Sequence, residues 1–393
     1  MVSITRRAAL LGLTSAWALG QSSLAFADAP TDKRFVVVIL RGALDGLAAV
    51  VPYGDRNLAG WRAHLVPGAV GSPGGMLDLG GFFGLHPALG GLHDMYLAGE
   101  MLPVHAVAGP YRSRSHFDAQ DYLESGADHR MTSGWLNRVL GALPAAAPTA
   151  GEALAVGVSI PLLLRGPAAV ENWAPEGYQT LPPDLYARIA ALNASDPLTG
   201  PLIREGYAER GFAHSALGES GVGPHANSFA TLAAAAGRMM AAPSGPRVVA
   251  LEAGGWDTHA QQVTQLAPPL RTLDAGLVAL KEGLGQAWSE TAVLVMTEFG
   301  RTVRMNGTLG TDHGTAAVAF VLGGAVAGGR VAGTWPGLGQ TQLFENRDLA
   351  PTTDLRAVAL GMLTNHLGIP AAAHSSIFPG SDGLSPMSGL IRA

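Results

Sequence analysis

The sequence has no cysteine in its 393 residues. That single absence removes disulfides, zinc ribbons, iron–sulfur clusters and thiol nucleophiles together. Aromatic residues are sparse at 6%, and charged residues make up only 14%. There is no run of like charge anywhere in the chain. With a net charge of −5, this gives a mildly acidic protein and excludes a dedicated binder of nucleic acid or anionic membrane. Past the first residues, no stretch reaches the roughly 20 uninterrupted apolar residues that a membrane span requires. Glycine (53) and proline (26) are plentiful but follow no three-residue period, so collagen is excluded. What is there in quantity is apolar: 48% hydrophobic residues, enough for a large core.

The N-terminus reads as an address. Arg6 and Arg7 precede a weakly apolar stretch from Ala8 to about Leu24, and Ala25-Phe26-Ala27 gives a small-x-small cleavage pattern. Adjacent arginines followed by small residues and leucines resemble a twin-arginine signal, with an ordinary secretory signal as the plainer alternative. The expectation is export to the periplasm or medium by the twin-arginine machinery, with cleavage near Ala27. Removing Arg6 and Arg7 leaves 23 basic residues against 30 acidic, a charge of −7.

Residues 28–393 read as one α/β domain. Phe35–Leu40 is an unbroken apolar run rich in β-branched residues, the pattern of a strand buried on both faces of a parallel sheet. Similar runs follow at Leu102–Val107, Arg247–Glu252, Ala292–Thr297 and Ala316–Leu322. Helical patterns lie near His86–Ala98, His116–Ser125, Ser228–Ala241, Val263–Trp288 and Thr353–His366. Strand and helix in alternation predict a doubly wound, mainly parallel sheet flanked by helices. The segment 141–245 has few strand signals and helical pieces near Asp184–Leu192 and Leu202–Leu217, and is expected to be an inserted helical cap.

Ligands of open parallel sheets bind at the carboxyl ends of the strands. Polar residues gather at those points. Arg41 and Asp45 follow the first strand; Arg112, Arg114, Ser115, His116 and Asp118 follow the second. Asp257 and His259 follow the third; Glu298 and Arg301 follow the fourth; Asp312 and His313 precede the fifth. Oxygen and imidazole donors without sulfur suit one or two divalent ions, zinc, manganese, magnesium or calcium. Asp45, Asp257, His259, Glu298, Asp312 and His313 are the candidate ligands. Each group also has a plainer role. Asp257 and Asp312 suit turn caps, Glu298 and Arg301 an i,i+3 ion pair, and Ser115 a helix N-cap. His64, His86, His93, His105, His129, His214, His225, His366 and His374 stand in no such grouping and read as structural.

These motifs resemble the DUF1501 family of exported bacterial proteins. The likeness runs through VVVILRGALDGLAAVVPYGD (36–55), YRSRSHFDAQDYLESG (111–126), GGWDTHA (254–260), TEFGRT (297–302), GTDHG (310–314) and LGGAVAGGRVAGTWPGL (322–338). The family is grouped with the alkaline phosphatase and sulfatase superfamily. The resemblance therefore implies an alkaline-phosphatase-like fold and metal-dependent chemistry on phosphate or sulfate esters. It implies that Asp257 and His259 form a ligand loop and that His313 is the late metal-binding histidine. Glu298 stands where the superfamily has the Asp of an Asp-His pair, with Phe299 in place of the histidine. Arg41-Gly42 occupy the strand end that normally carries a metal-binding aspartate. Ser115 or His116 falls at the nucleophile position, and His116 is alternatively a ligand or general acid/base. Arg41, Arg114 or Arg301 would neutralise charge on the transferred group. The expected function is an exported metal-dependent ester hydrolase. The alternative is a non-catalytic periplasmic protein that binds an anionic glycan or a protein partner in the same cleft.

Overall fold

The structure is a computed structural model that describes residues 32–143, 153–157, 159–175 and 228–392. The expected export segment, and residues 176–227 of the expected cap, lie outside the described residues.

Eight strands form one sheet: β1 (Arg34–Arg41), β2 (Met101–Ala108), β3 (Ala153–Val156), β4 (Glu171–Trp173), β5 (Val248–Gly254), β6 (Thr291–Thr297), β7 (Ala317–Leu322) and β8 (Thr353–Asp354). Their order is β8-β2-β7-β6-β1-β5-β3-β4. All the pairings are parallel except those of β7, which runs antiparallel to both β6 and β2. The doubly wound, mainly parallel sheet expected from the sequence is therefore present.

Alternation along β1 shows how the two faces are covered. Val36, Val38 and Leu40 pack into a core with Leu92, Phe229, Leu232, Leu270 and Leu277. These come from α1 (Gly90–Leu97), α4 (Phe229–Ala241) and α5 (Gln262–Leu284). Phe35, Val37 and Ile39 point the other way, into a core with Leu123, Trp135, Leu136 and Val358. Those belong to α2 (His116–Ser125), α3 (Trp135–Leu140) and α6 (Leu355–Leu367). A strand buried on both faces must be apolar at every position, which is why β1 reads as an unbroken run.

The expected cap changes at its two ends. β3 and β4 lie within 141–245 yet extend the main sheet beyond β5, and α4 packs in the core. Both strands are too short, at 4 and 3 residues, to stand out from an Ala/Pro-rich background.

The antiparallel β7 positions the chemistry. Because it runs backwards, its beginning lies at the same sheet edge as the ends of β1, β5 and β6. The GTDHG segment before β7 thus meets the loops after the parallel strands.

Candidate metal centre

Two loops are stitched together at that edge. Thr311 N donates to Thr258 O at 3.3 Å, Gln261 N to Thr308 O at 2.9 Å and Gln262 N to Leu309 O at 2.9 Å. Asn306 Nδ2 donates to His259 O at 2.9 Å. Gly310 fits so closely under His259 that a Cβ there would lie 2.3 Å from the His259 carbonyl carbon. The contacts bring Asp257 and His259 beside His313, some 54 residues further along the chain.

His313 Nε2 lies 3.0 Å from His116 Nε2 and 3.0 Å from His259 Nε2. Asp257 Oδ1 faces all three rings, at 3.0 Å from His259 Nε2, 3.2 Å from His313 Nε2 and 3.5 Å from His116 Nε2. His116, Asp257 and His313 each present a ligand atom within 4.8 Å of the others, a grouping able to hold a metal ion. The cluster is open to solvent on one side: the Asp257 and His259 side chains are 47% and 45% exposed, those of His116 and His313 about half that.

The far side of each ring faces an oxygen. His116 Nδ1 meets Glu298 Oε1 at 2.7 Å, and His313 Nδ1 meets the carbonyl of Arg114 at 3.0 Å. His259 Nδ1 lies 3.5 Å from Asp312 Oδ1. A proton on Nδ1 satisfies each of these oxygens and leaves Nε2 a lone pair turned inward. This is the way outer carboxylates and carbonyls orient metal-binding histidines. Phe299 fills the wall behind them, its ring centroid 4.9 Å from that of His116 and 5.1 Å from that of His313.

Neighbouring charges and burial shift the titration of the cluster's groups. The hydrogen bond to Glu298 raises the His116 pKa, so positive charge at this imidazole is stabilised. Burial lowers the His313 pKa and keeps that ring neutral. Burial alone would raise the carboxylates, but hydrogen bonds reverse it. Glu298 is held low by His116, Gln120 and Gly42, and Asp257 by Arg301.

Several expected roles change. Asp45 is not at the cluster. It caps the short helix Gly46–Ala49 through Leu47 N and Ala48 N, and pairs with Arg62 Nη1 at 2.9 Å to both oxygens; Gln262 Nε2 donates to it at 2.6 Å. Both side chains are 1% exposed, so this is a buried ion pair rather than an open ligand. Glu298 and Asp312 stand behind His116 and His259 rather than beside Asp257. Ser115 is the N-cap residue of α2, yet its side chain makes no capping bond.

The three arginines expected to face substrate are engaged within the protein. Arg301 is buried, and donates to the carbonyls of Ala43, Thr311, Gly42 and Trp256 and to Asp257 Oδ1. Arg114 pairs with Asp348 at 2.7 Å and with Glu345 at 2.5 Å. Its contribution to the site is its carbonyl, turned toward His313 by a backbone φ of +60°. Arg41 pairs with Glu124 at 2.9 Å and also with Glu252.

The sequence matches the family described as "Protein of unknown function (DUF1501)" over residues 86–376. The chain belongs to the DUF1501 family. Every residue of the cluster falls inside the matched range. No curated protein matches the chain. Among solved structures, it is similar to the C-terminal periplasmic domain of EptC from Escherichia coli, a complex with zinc. That match has 8% identity and a TM-score of 0.34, covering 77% of this chain and 76% of that one. It is also similar to the lipoteichoic acid synthase LtaP from Listeria monocytogenes, at 10% identity and a TM-score of 0.32, covering 91% of this chain and 78% of that one.

Sequence reading missed Gln120, which sits one helical turn after His116 on α2 and donates from Nε2 to Glu298 Oε1 at 3.1 Å. The i,i+4 spacing was a usable signal. Arg62 and Gln262 had none, because their partner Asp45 is distant in sequence and comes near only in the fold.

Proposed function

We propose that this chain is an exported, metal-dependent hydrolase of phosphate or sulfate esters. His116, His259, His313 and Asp257 form its ligand set. The observation that carries the proposal is that His116 Nε2 and His259 Nε2 each lie 3.0 Å from His313 Nε2, with Asp257 Oδ1 at 3.0–3.5 Å from all three. Lone pairs held this close repel one another; Arg301, donating to Asp257 Oδ1, offsets part of that repulsion, and a bound cation would offset the rest. A zinc–nitrogen bond of about 2.0–2.1 Å in a tetrahedral site puts neighbouring ligand atoms roughly 3.3 Å apart. The spacings among His116, Asp257 and His313, 3.0–3.5 Å, lie close to that value, and His259 adds a fourth donor 3.0 Å from both Asp257 and His313. Three imidazoles favour zinc or a similar first-row ion over magnesium and calcium, which prefer oxygen shells. When bound, such an ion supplies Lewis-acid polarisation of an ester oxygen.

The protein's own groups do the rest. Glu298 keeps the His116 proton on Nδ1, so His116 serves as a ligand and not as a general acid. Ser115 offers an uncapped hydroxyl beside the cluster and is the candidate nucleophile; an attacking water is the other. With Arg41, Arg114 and Arg301 engaged internally, the N-terminus of α2 is the source of positive potential assigned to anionic oxygens. Its first-turn N–H groups have no partner within the helix. Arg6 and Arg7 direct export through the twin-arginine route. Among the described residues no helix is long and apolar enough to cross a membrane.

The test is turnover of p-nitrophenyl phosphate and p-nitrophenyl sulfate by metal-loaded protein. Turnover that disappears in His313→Ala supports the hydrolase. Metal-loaded protein inert to a broad ester panel supports the binding protein instead.

A further inference from the structure

A cavity of about 410 Å³ opens beside the start of α5. Its size falls within the range of small-molecule sites, roughly 300–1,000 Å³. Leu65, Val66 and Leu266 give it apolar walls, and His64, His86 and Arg271 supply polar groups. Gln262 also lines it, while the Gln262 side chain bonds Thr258 and Thr311 in the two loops of the metal cluster. The cavity therefore adjoins that cluster but shares no candidate ligand with it.

Two of the polar groups, Arg271 and His86, offer donors. Arg271 is exposed, and its guanidinium makes no hydrogen bond or ion pair with any described residue. His86 Nδ1 accepts from Ala88 N at 3.1 Å, which leaves the proton of a neutral ring on Nε2. Burial, and then the charge of Arg271, holds the His86 pKa down to about 4, so the ring stays neutral. His64 is exposed at the rim. An unpaired guanidinium and the His86 imidazole donor over apolar walls define a ligand with a negative head and an apolar body.

We propose that this cavity is a second binding site, separate from the metal cluster, for an organic anion. A carboxylate, phosphate or sulfonate head pairs with Arg271 while an apolar body lies against Leu65, Val66 and Leu266.

Anilinonaphthalene sulfonate, which has both features and fluoresces when bound, is the probe. Titration of the full mature chain should show saturable binding that Arg271→Gln weakens roughly tenfold or more, the loss expected for a charged hydrogen bond. His313→Ala should leave binding intact. The uncharged phenylnaphthylamine should bind more weakly and be indifferent to Arg271→Gln. The Arg271 side chain has no described partner, so the thermal midpoint of the variant should match that of the parent. Binding unchanged in Arg271→Gln, or lost in His313→Ala, overturns the proposal. Failure of the hydrolase reading would leave it standing, because no metal is involved.

Discussion

His116 turns Nδ1 toward Glu298 Oε1 at 2.7 Å while its Nε2 lies 3.0 Å from that of His313. The buried carboxylate holds one side of the ring so that the other is free to bind. Glu298→Gln is nearly isosteric but removes the anion. It should weaken metal affinity by about 10–100-fold, the usual cost of losing such an orienting partner. Competition against a chelator of known affinity measures this. Unchanged affinity would reduce Glu298 to a packing residue.

Asp45 and Arg62 make the opposite case. Asp45→Ala leaves the Arg62 guanidinium buried without its carboxylate and should cost about 3–5 kcal/mol of stability in urea unfolding. The protein that still folds should keep its full metal content. If metal were lost with little change in stability, Asp45 would be a ligand after all.

Gly310 tests the seam between the loops. A methyl at this position would sit 2.3 Å from the His259 carbonyl group, so Gly310→Ala must displace the backbone that carries His259. Ester turnover and metal affinity should fall together, with a stability loss of about 1–3 kcal/mol. A variant with parental turnover would show that His259 is not needed at its present position.

His105 governs part of the acid sensitivity. It is 2% exposed, with Nε2 against the Val50 carbonyl at 2.9 Å, and burial lowers its pKa from 6.5 to about 4. The folded state therefore prefers the neutral ring, and the unfolded state binds the proton more readily. Its contribution is complete above pH 6.5 and is lost as pH falls from there toward 4. The loss amounts to about 3 kcal/mol. The slope of stability against pH in that window should be shallower in His105→Gln than in the parent. Parallel slopes would contradict the assignment.

Much of this was legible in advance. The five long strands and the helix His116–Ser125 follow from apolar runs and periodicity, because burial on both faces leaves little freedom in sequence. Asp257, His259 and His313 were legible as strand-end donors. The division of labour among the remaining polar residues was not. Glu298 looks like a ligand in sequence, and only the orientation of His116 shows that it stands one step back. Arg301 looks like a substrate clamp, but its donors are taken by carbonyls from three loops, and no local pattern marks such long-range contacts. Asp45 sits four residues after Arg41 at the end of the first strand, as a ligand would, yet its partner Arg62 depends on how a separate short helix packs.

The most direct test is elemental analysis of the mature protein purified from a host that exports it, alongside His313→Ala prepared identically. The account predicts a stoichiometric first-row divalent ion in the parent and its loss in the folded variant. Parent protein free of metal even after incubation with zinc, or a variant that retains the ion in full, would contradict it.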